Sequence, residues 1–110
     1  MAELHGAALD RAVAEIITGW TDRPGRWGVI EGVPPSPPPR YSSDWSRLPE
    51  MLRHLVRDDP SRWVSIDVAS DGTDAVLWHR GDGPIQGGVG AHELEAVARL
   101  IVAVAEAKDA

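Results

Sequence analysis

Apolar residues recur every three or four positions in three separate stretches of the chain, and this spacing predicts three amphipathic helices. Between the second and third helices, apolar and polar residues alternate on both sides of an Asp-Gly turn, which predicts a β-hairpin. The predicted ranges are about 4–18, 46–57 and 92–107 for the helices, and 62–70 and 74–79 for the strands. We therefore predict an α+β fold in which helices sandwich a small antiparallel sheet, in the order helix, long loop, helix, β-hairpin, helix.

Glycine and proline mark where the first two helices end and begin. Gly19 directly follows the first periodic stretch and is a natural C-terminal stop. The second helix has Asp44 or Ser46 as its candidate N-cap. Pro49 favours Ser46, because the proline then falls in the first turn, where its missing N–H costs nothing. Residues 42–45 are expected to form a separate turn.

Two stretches lack periodicity and are predicted to be loops. Residues 21–41 are rich in proline and glycine, and within them residues 26–30 are a candidate edge strand. Residues 80–90 form a glycine-rich segment that leads into the last helix, an arrangement that can bind phosphate through free N–H groups. The spacing is neither Walker A nor Rossmann, so a flexible connector is the alternative.

Composition narrows the classes of function. The chain of 110 residues is expected to form a single domain, residues 1–110, with no cysteine for disulfides or thiolate metal sites. Its formal net charge is −6 and its basic residues are scattered, so neither duplex nucleic acid nor a membrane is the expected partner. We expect no signal peptide and no membrane span, and hence a cytoplasmic protein.

Catalytic and metal-binding patterns are not evident in the sequence. The four histidines lie in different predicted elements without metal-ligand spacing, and no GxSxG motif is present. The Asp58-Asp59 pair precedes a proline, which is typical of a solvated turn. We therefore predict that the protein is not an enzyme and uses no metal or cofactor.

The segment RYSSDW at residues 40–45 is the best local candidate for a binding site. Arg40 offers a bidentate donor fork, Tyr41 a stacking face, and Ser42 and Ser43 short donors at a helix entrance. Such a set suits a nucleotide, which needs charge for phosphate and a plane for the base. The alternative is a plain helix-entry turn with the tyrosine packed against the helix.

Arg99, like the entrance segment, has a structural interpretation and a ligand-binding interpretation. It stands four residues after Glu95, in the favourable order for an intrahelical ion pair. Alternatively, its guanidinium recognises an anionic ligand from the face of the last helix.

Three of these stretches resemble the phage ABA-sandwich domain family. They are LDRAVAEIITGW (9–20), RYSSDW (40–45) before an apolar helix, and AVARLIVAVAEA (96–107). Arg99 matches the arginine of the last helix of that family. The chain departs from the family pattern at two points: residues 42–45 are SSDW where the family has a motif similar to STDI, and the chain carries Pro49.

The resemblance implies helices on both sides of an antiparallel sheet. It also implies a function like that of the Thoeris anti-defence sponges of phages, which sequester cyclic ADP-ribose-type signals without cleaving them and assemble as oligomers. We therefore expect a homo-oligomer in a bacterial cytoplasm that binds a small anionic nucleotide-like ligand through Trp20, Arg40, Tyr41, Ser42, Ser43 and Arg99. The alternative is a protein-interaction module, such as an immunity protein or a small phage structural factor, with acidic surface and exposed tryptophans facing a protein.

Overall fold

The structure is a computed structural model that describes residues 4–19, 39–57 and 59–109. The candidate strand at 26–30, most of the proline-rich and glycine-rich segment 21–41, and Trp20 lie outside these residues. A short 3-10 turn, Trp45–Arg47, precedes the second helix. The helices and strands are α1 (Gly6–Thr18), α2 (Leu48–Val56), β1 (Arg62–Ala69), β2 (Gly72–His79), β3 (Gly83–Gly90) and α3 (Glu93–Asp109). None of the described helices is both long and apolar enough to cross a membrane.

The described part of the chain is an α+β fold with the predicted order of helices and hairpin, so the predicted fold class is confirmed. The strands form one antiparallel sheet in the order β1-β2-β3. The prediction of a loop over residues 80–90 is wrong, because residues 83–90 pair with β2 along its length. This third strand supplies the sheet neighbour that an isolated hairpin lacks.

Glycines in β3 let α3 lie directly on the sheet. Gly88 and Gly90 face the helix, and a Cβ added to Gly88 would lie 2.5 Å from the backbone nitrogen of Leu100. One added to Gly90 would lie 2.6 Å from the backbone nitrogen of Ala96. Glycine marks a strand where another backbone approaches closely. It carries no side chain to alternate, so the periodicity of the sequence does not reveal this strand.

The caps of the first two helices agree with the prediction except at one residue. Gly19 ends α1 in the left-handed conformation, with φ 74°. Pro49 lies in the first turn of α2, as predicted. The predicted cap Ser46 is wrong: Arg47 is the N-cap of α2, and it makes no side-chain capping bond. Asp44 is instead the N-cap of the preceding 3-10 turn, and its Oδ1 accepts hydrogen bonds from the Ser46 N–H (3.0 Å) and hydroxyl (2.7 Å). These two hydrogen bonds lower the pKa of Asp44 below its usual value.

The core lies between the helices and one face of the sheet, which we call the inner face. Val64 pairs with Leu77 and Ile66 with Ala75 across the first two strands, so all four side chains share this face. The side chains of the described helices that join them in the core are Leu9, Val13, Ala14, Met51, Leu55, Leu94, Ala96, Val97, Ala98, Leu100 and Ile101. The two-sided covering that the resemblance implies is not seen in the described residues, where the helices pack on the inner face.

Candidate functional site

Tyr41, predicted to stack on a ligand, is fully buried in the core. Its hydroxyl donates to the Oε1 of Glu50 at 3.1 Å, and the guanidinium of Arg47 lies 5.8 Å from its ring centroid. A ring in this position anchors the helix entrance to α2. The geometry therefore matches the alternative in which the tyrosine is packed against the helix, and it offers no open ring face for a base.

Ser42 is also buried and belongs to the same anchor. Its backbone N–H donates to the Oδ1 of Asp10 at 2.7 Å, a bond that joins the entrance segment to α1. Asp10 itself is only 7 % exposed, so the carboxylate and the N–H satisfy each other away from water. Arg40 and Ser43 are exposed, and of the predicted entrance residues these two are open to a ligand.

Arg99 on α3 contacts the end of β3 and the residues at the start of α1. Its guanidinium donates to the carbonyl oxygens of Leu4 (3.4 Å) and Val89 (2.6 Å), and it pairs with Glu95 at 2.9 Å. It also lies 3.0 Å from the Nδ1 of His5. The predicted ion pair with Glu95 is therefore present, and the remaining donors hold the start of α1 and the end of β3 against α3. The predicted role in anion recognition would require some of these bonds to break.

The pKa of Tyr41 gives a direct test of this burial. Burial, with a smaller contribution from the nearby Glu50 carboxylate, raises that pKa from 10.0 to about 12. Because the raised value favours the protonated phenol in the folded state, its contribution to stability is present below pH 10 and is lost as the pH rises from 10 to about 12.

Tyr41 is the chain's single tyrosine, so the ultraviolet absorbance of tyrosinate reports on this residue alone. We expect the folded protein to titrate about two pH units above the denatured protein. Replacing Glu50 with glutamine should lower the pKa of Tyr41 in the folded protein part of the way toward its ordinary value. A folded protein that titrates at the ordinary value of tyrosine would contradict the buried position.

The opposite face of the sheet, which we call the outer face, carries a pair of stacked tryptophans. Trp63 and Trp78 are cross-strand partners whose ring centroids lie 5.9 Å apart with an interplanar angle of 7°. The indole N–H of Trp78 donates to the hydroxyl of Ser65 at 2.7 Å, which fixes its ring orientation. Trp63 is nonetheless 44 % exposed. An ordered, exposed indole on a rigid strand is a typical anchor for a binding partner.

The rest of the outer face combines apolar and acidic side chains. Val76 adjoins the tryptophan pair, and Val89 on β3 is 55 % exposed. Asp67 and Asp74 stand directly opposite each other on β1 and β2, and both are exposed. Like charges in this arrangement are unfavourable for a sheet. The face therefore presents an aromatic platform at one end and a pair of carboxylates at the other.

The alternation of residues in the sequence indicates which side chains share the outer face, but it does not indicate what the face does. Alternation places Trp78 and Val76 on one side of the second strand, and Ser65 and Asp67 on one side of the first. The register of the hairpin then aligns the two sets. Among the described residues no three side chains of histidine, aspartate or glutamate converge as metal ligands.

Comparisons with protein-family models, with curated proteins and with solved structures found no match to this chain. The resemblance to the phage ABA-sandwich family therefore stays a prediction, as does the function that it implies.

Proposed function

We propose that this chain is a non-enzymatic binding protein that recognises a protein partner with the outer face of its sheet. The stacked Trp63–Trp78 pair, in which Trp63 is exposed, is the observation that carries the proposal. Tryptophan is enriched among the few residues that supply most of the binding energy at protein interfaces. Here the pair is held by two neighbouring strands and by the hydrogen bond to Ser65, so little ordering is required when a partner docks.

Charge indicates which kind of partner fits this face. Asp67 and Asp74 place two carboxylates on the same face as the aromatic platform, at its other end, on a chain whose formal net charge is −6. An anionic ligand would be repelled here, whereas one basic side chain of a partner would pair with the carboxylates and another would stack on an indole. A second copy of the chain docked through the same face would bring four carboxylates together. The face therefore fits a partner segment that is both basic and apolar.

A synthetic peptide that alternates arginine with valine is a suitable probe, because it carries both features. We expect it to change the tryptophan fluorescence saturably, and to bind more weakly as salt is added. A matched peptide with glutamate in place of arginine should bind at least about tenfold more weakly. Replacing Asp67 with asparagine should weaken binding of the basic peptide and reduce the dependence of its affinity on salt concentration. If the acidic peptide bound as well as the basic one, the proposed partner class would be rejected.

The nucleotide-sequestering function implied by the resemblance has a separate test. Arg40 and Ser43 are exposed and are the entrance residues on which it would depend. A ligand present at 100 times its Kd should add about 2.7 kcal/mol to the free energy of unfolding. Thermal melting with cyclic ADP-ribose isomers and cyclic oligonucleotides measures this, and the shift should shrink in Arg40→Ala. No shift with any of them would reject the sponge function.

A further inference from the structure

The edge of the sheet formed by β1 carries backbone groups that have no hydrogen-bond partner in the described part of the chain. Ala69 and Gly72 close a two-residue hairpin as a hydrogen-bonded pair, so every second residue of β1 bonds to β2 and the residues between them point away from it. At the other end of the strand, the Arg62 N–H donates to the carbonyl oxygen of Asp59 at 3.1 Å and not to β2. The residues of β1 whose unpaired N–H and C=O groups are directed out of the sheet are Val64, Ile66 and Val68.

The opposite edge of the sheet, formed by β3, is protected at two points. Pro84 lacks an N–H, and the carbonyl oxygen of Val89 accepts a hydrogen bond from the guanidinium of Arg99 at 2.6 Å. Proline, charged side chains and bulges are features that keep sheet edges from pairing with another chain. β1 contains no proline and pairs with β2 without a bulge, and its Val68 is 70 % exposed. The edge of β1 is therefore the one of the two that is open to a further strand.

We propose that the partner of the outer face binds as an added antiparallel strand along the edge of β1. This inference rests on the proposed function, because the added strand is the basic and apolar segment that the outer face recognises. Side chains that stand opposite each other on neighbouring strands share a face of the sheet. A strand that alternates apolar and basic residues therefore continues the inner face with its apolar side chains. Its basic side chains lie on the outer face, one beside Trp63 and one beside Asp67.

Both sides of such a strand find matching neighbours on β1. On the inner side, Val64 and Ile66 are partly buried against the core and offer apolar neighbours. On the outer side, an arginine opposite Trp63 stacks on an exposed indole, and one opposite Asp67 pairs with an exposed carboxylate. A second copy of β1 would bring no basic side chain to this side, because its outer-face residues between 63 and 67 are tryptophan, serine and aspartate. The edge therefore fits a basic partner segment better than a second copy of the chain.

Backbone N-methylation of the arginine-valine peptide tests the added strand, because it removes chosen N–H donors without changing any side chain. In an antiparallel pair, the residues opposite Val64 and Ile66 exchange hydrogen bonds with them, and here those residues are the valines of the peptide. By isothermal titration calorimetry, a peptide that is N-methylated at its valines should bind at least about tenfold more weakly than the parent peptide. The matched peptide is N-methylated at its arginines, whose N–H groups point away from β1, and should bind within about twofold of the parent.

Amide hydrogen exchange of the complete chain, followed by NMR, reports on the same contact from the protein side. A saturating concentration of the parent peptide should slow exchange at Val64, Ile66 and Val68 by at least about tenfold. The amides of Ser65 and Asp67 already bond to β2 and should change much less, so they are the internal control.

The outcomes separate this inference from the proposed function. If the parent peptide did not bind, both would fail. If the parent bound and the two methylated peptides had equal affinities, the added strand would be overturned, while the outer face would remain the binding surface. A larger loss from the methylated arginines would contradict the antiparallel pairing. Slow exchange of the Val64, Ile66 and Val68 amides in the free chain would also overturn the proposal, because the edge would then already be occupied.

Discussion

Replacing Gly88 with alanine is expected to destabilise the domain more than any other single-methyl change in the sheet. The added Cβ would lie 2.5 Å from the backbone nitrogen of Leu100 and would also meet the carbonyl oxygen of Ala96. Both obstacles are backbone atoms of α3, so no side-chain rotation relieves the overlap. The helix would have to move away from the strand and open the core. We expect a loss of about 3 kcal/mol or more in the free energy of unfolding.

Gly87 provides the matched control for this substitution. A Cβ there would meet the carbonyl oxygen of Ala75 at 3.7 Å and a methyl of Val76 at 4.0 Å, which are ordinary contacts. Gly87→Ala should therefore change stability by less than about 0.5 kcal/mol, as surface substitutions usually do. Urea denaturation followed by circular dichroism measures both variants. Equal stability of the two would mean that α3 does not lie on β3 as described.

Replacing Tyr41 with alanine should cost about 3–5 kcal/mol, because it empties a fully buried aromatic position. Tyr41→Phe keeps the ring and removes only the hydroxyl bond to Glu50, so it should cost about 1 kcal/mol. Chemical denaturation of the two variants separates the role of the ring from that of the hydroxyl. If Tyr41→Ala were as stable as the natural chain, the ring would be a surface group that is available to a ligand.

The elements that the sequence predicted well are those whose signal is carried by nearby side chains. The periodicity of α1 and its stop at Gly19 are local, and so is the alternation of the hairpin strands. β3 escaped prediction because Gly88 and Gly90 meet a helix backbone instead of presenting apolar side chains. Ser46 is not the cap of α2 because it lies inside a 3-10 turn that Asp44 caps, and side-chain spacing does not encode that turn.

The predicted site residues show where sequence reasoning reaches its limit. Whether Ser42 is open or buried depends on Asp10, which lies 32 positions away in the chain. The donors of Arg99 are engaged partly by the carbonyl oxygen of Leu4, 95 positions away. Long-range contacts of this kind decide whether a polar residue is structural or free to bind. Trp20 lies outside the described residues, so its predicted role stays a prediction.

The tryptophan pair shows that long-range packing also decides which face of the sheet is covered. The register of the hairpin places Trp63 and Trp78 on one face of the sheet. Both faces carry apolar residues, however, so the pattern alone does not reveal which one the helices cover. The close packing of α3 against Gly88 and Gly90 determines that choice and leaves the indoles on the outer face.

The most direct test of the protein-binding proposal is the affinity of the arginine-valine peptide for two tryptophan variants, measured by isothermal titration calorimetry. Trp63→Ala removes the exposed half of the stacked pair, whereas Trp45→Ala removes an indole that is 54 % exposed on the 3-10 turn, against His92. We expect Trp63→Ala to weaken the peptide by at least about tenfold and Trp45→Ala to leave its affinity unchanged. Equal affinities of the two variants for the peptide would contradict the assignment of the outer face as the binding surface.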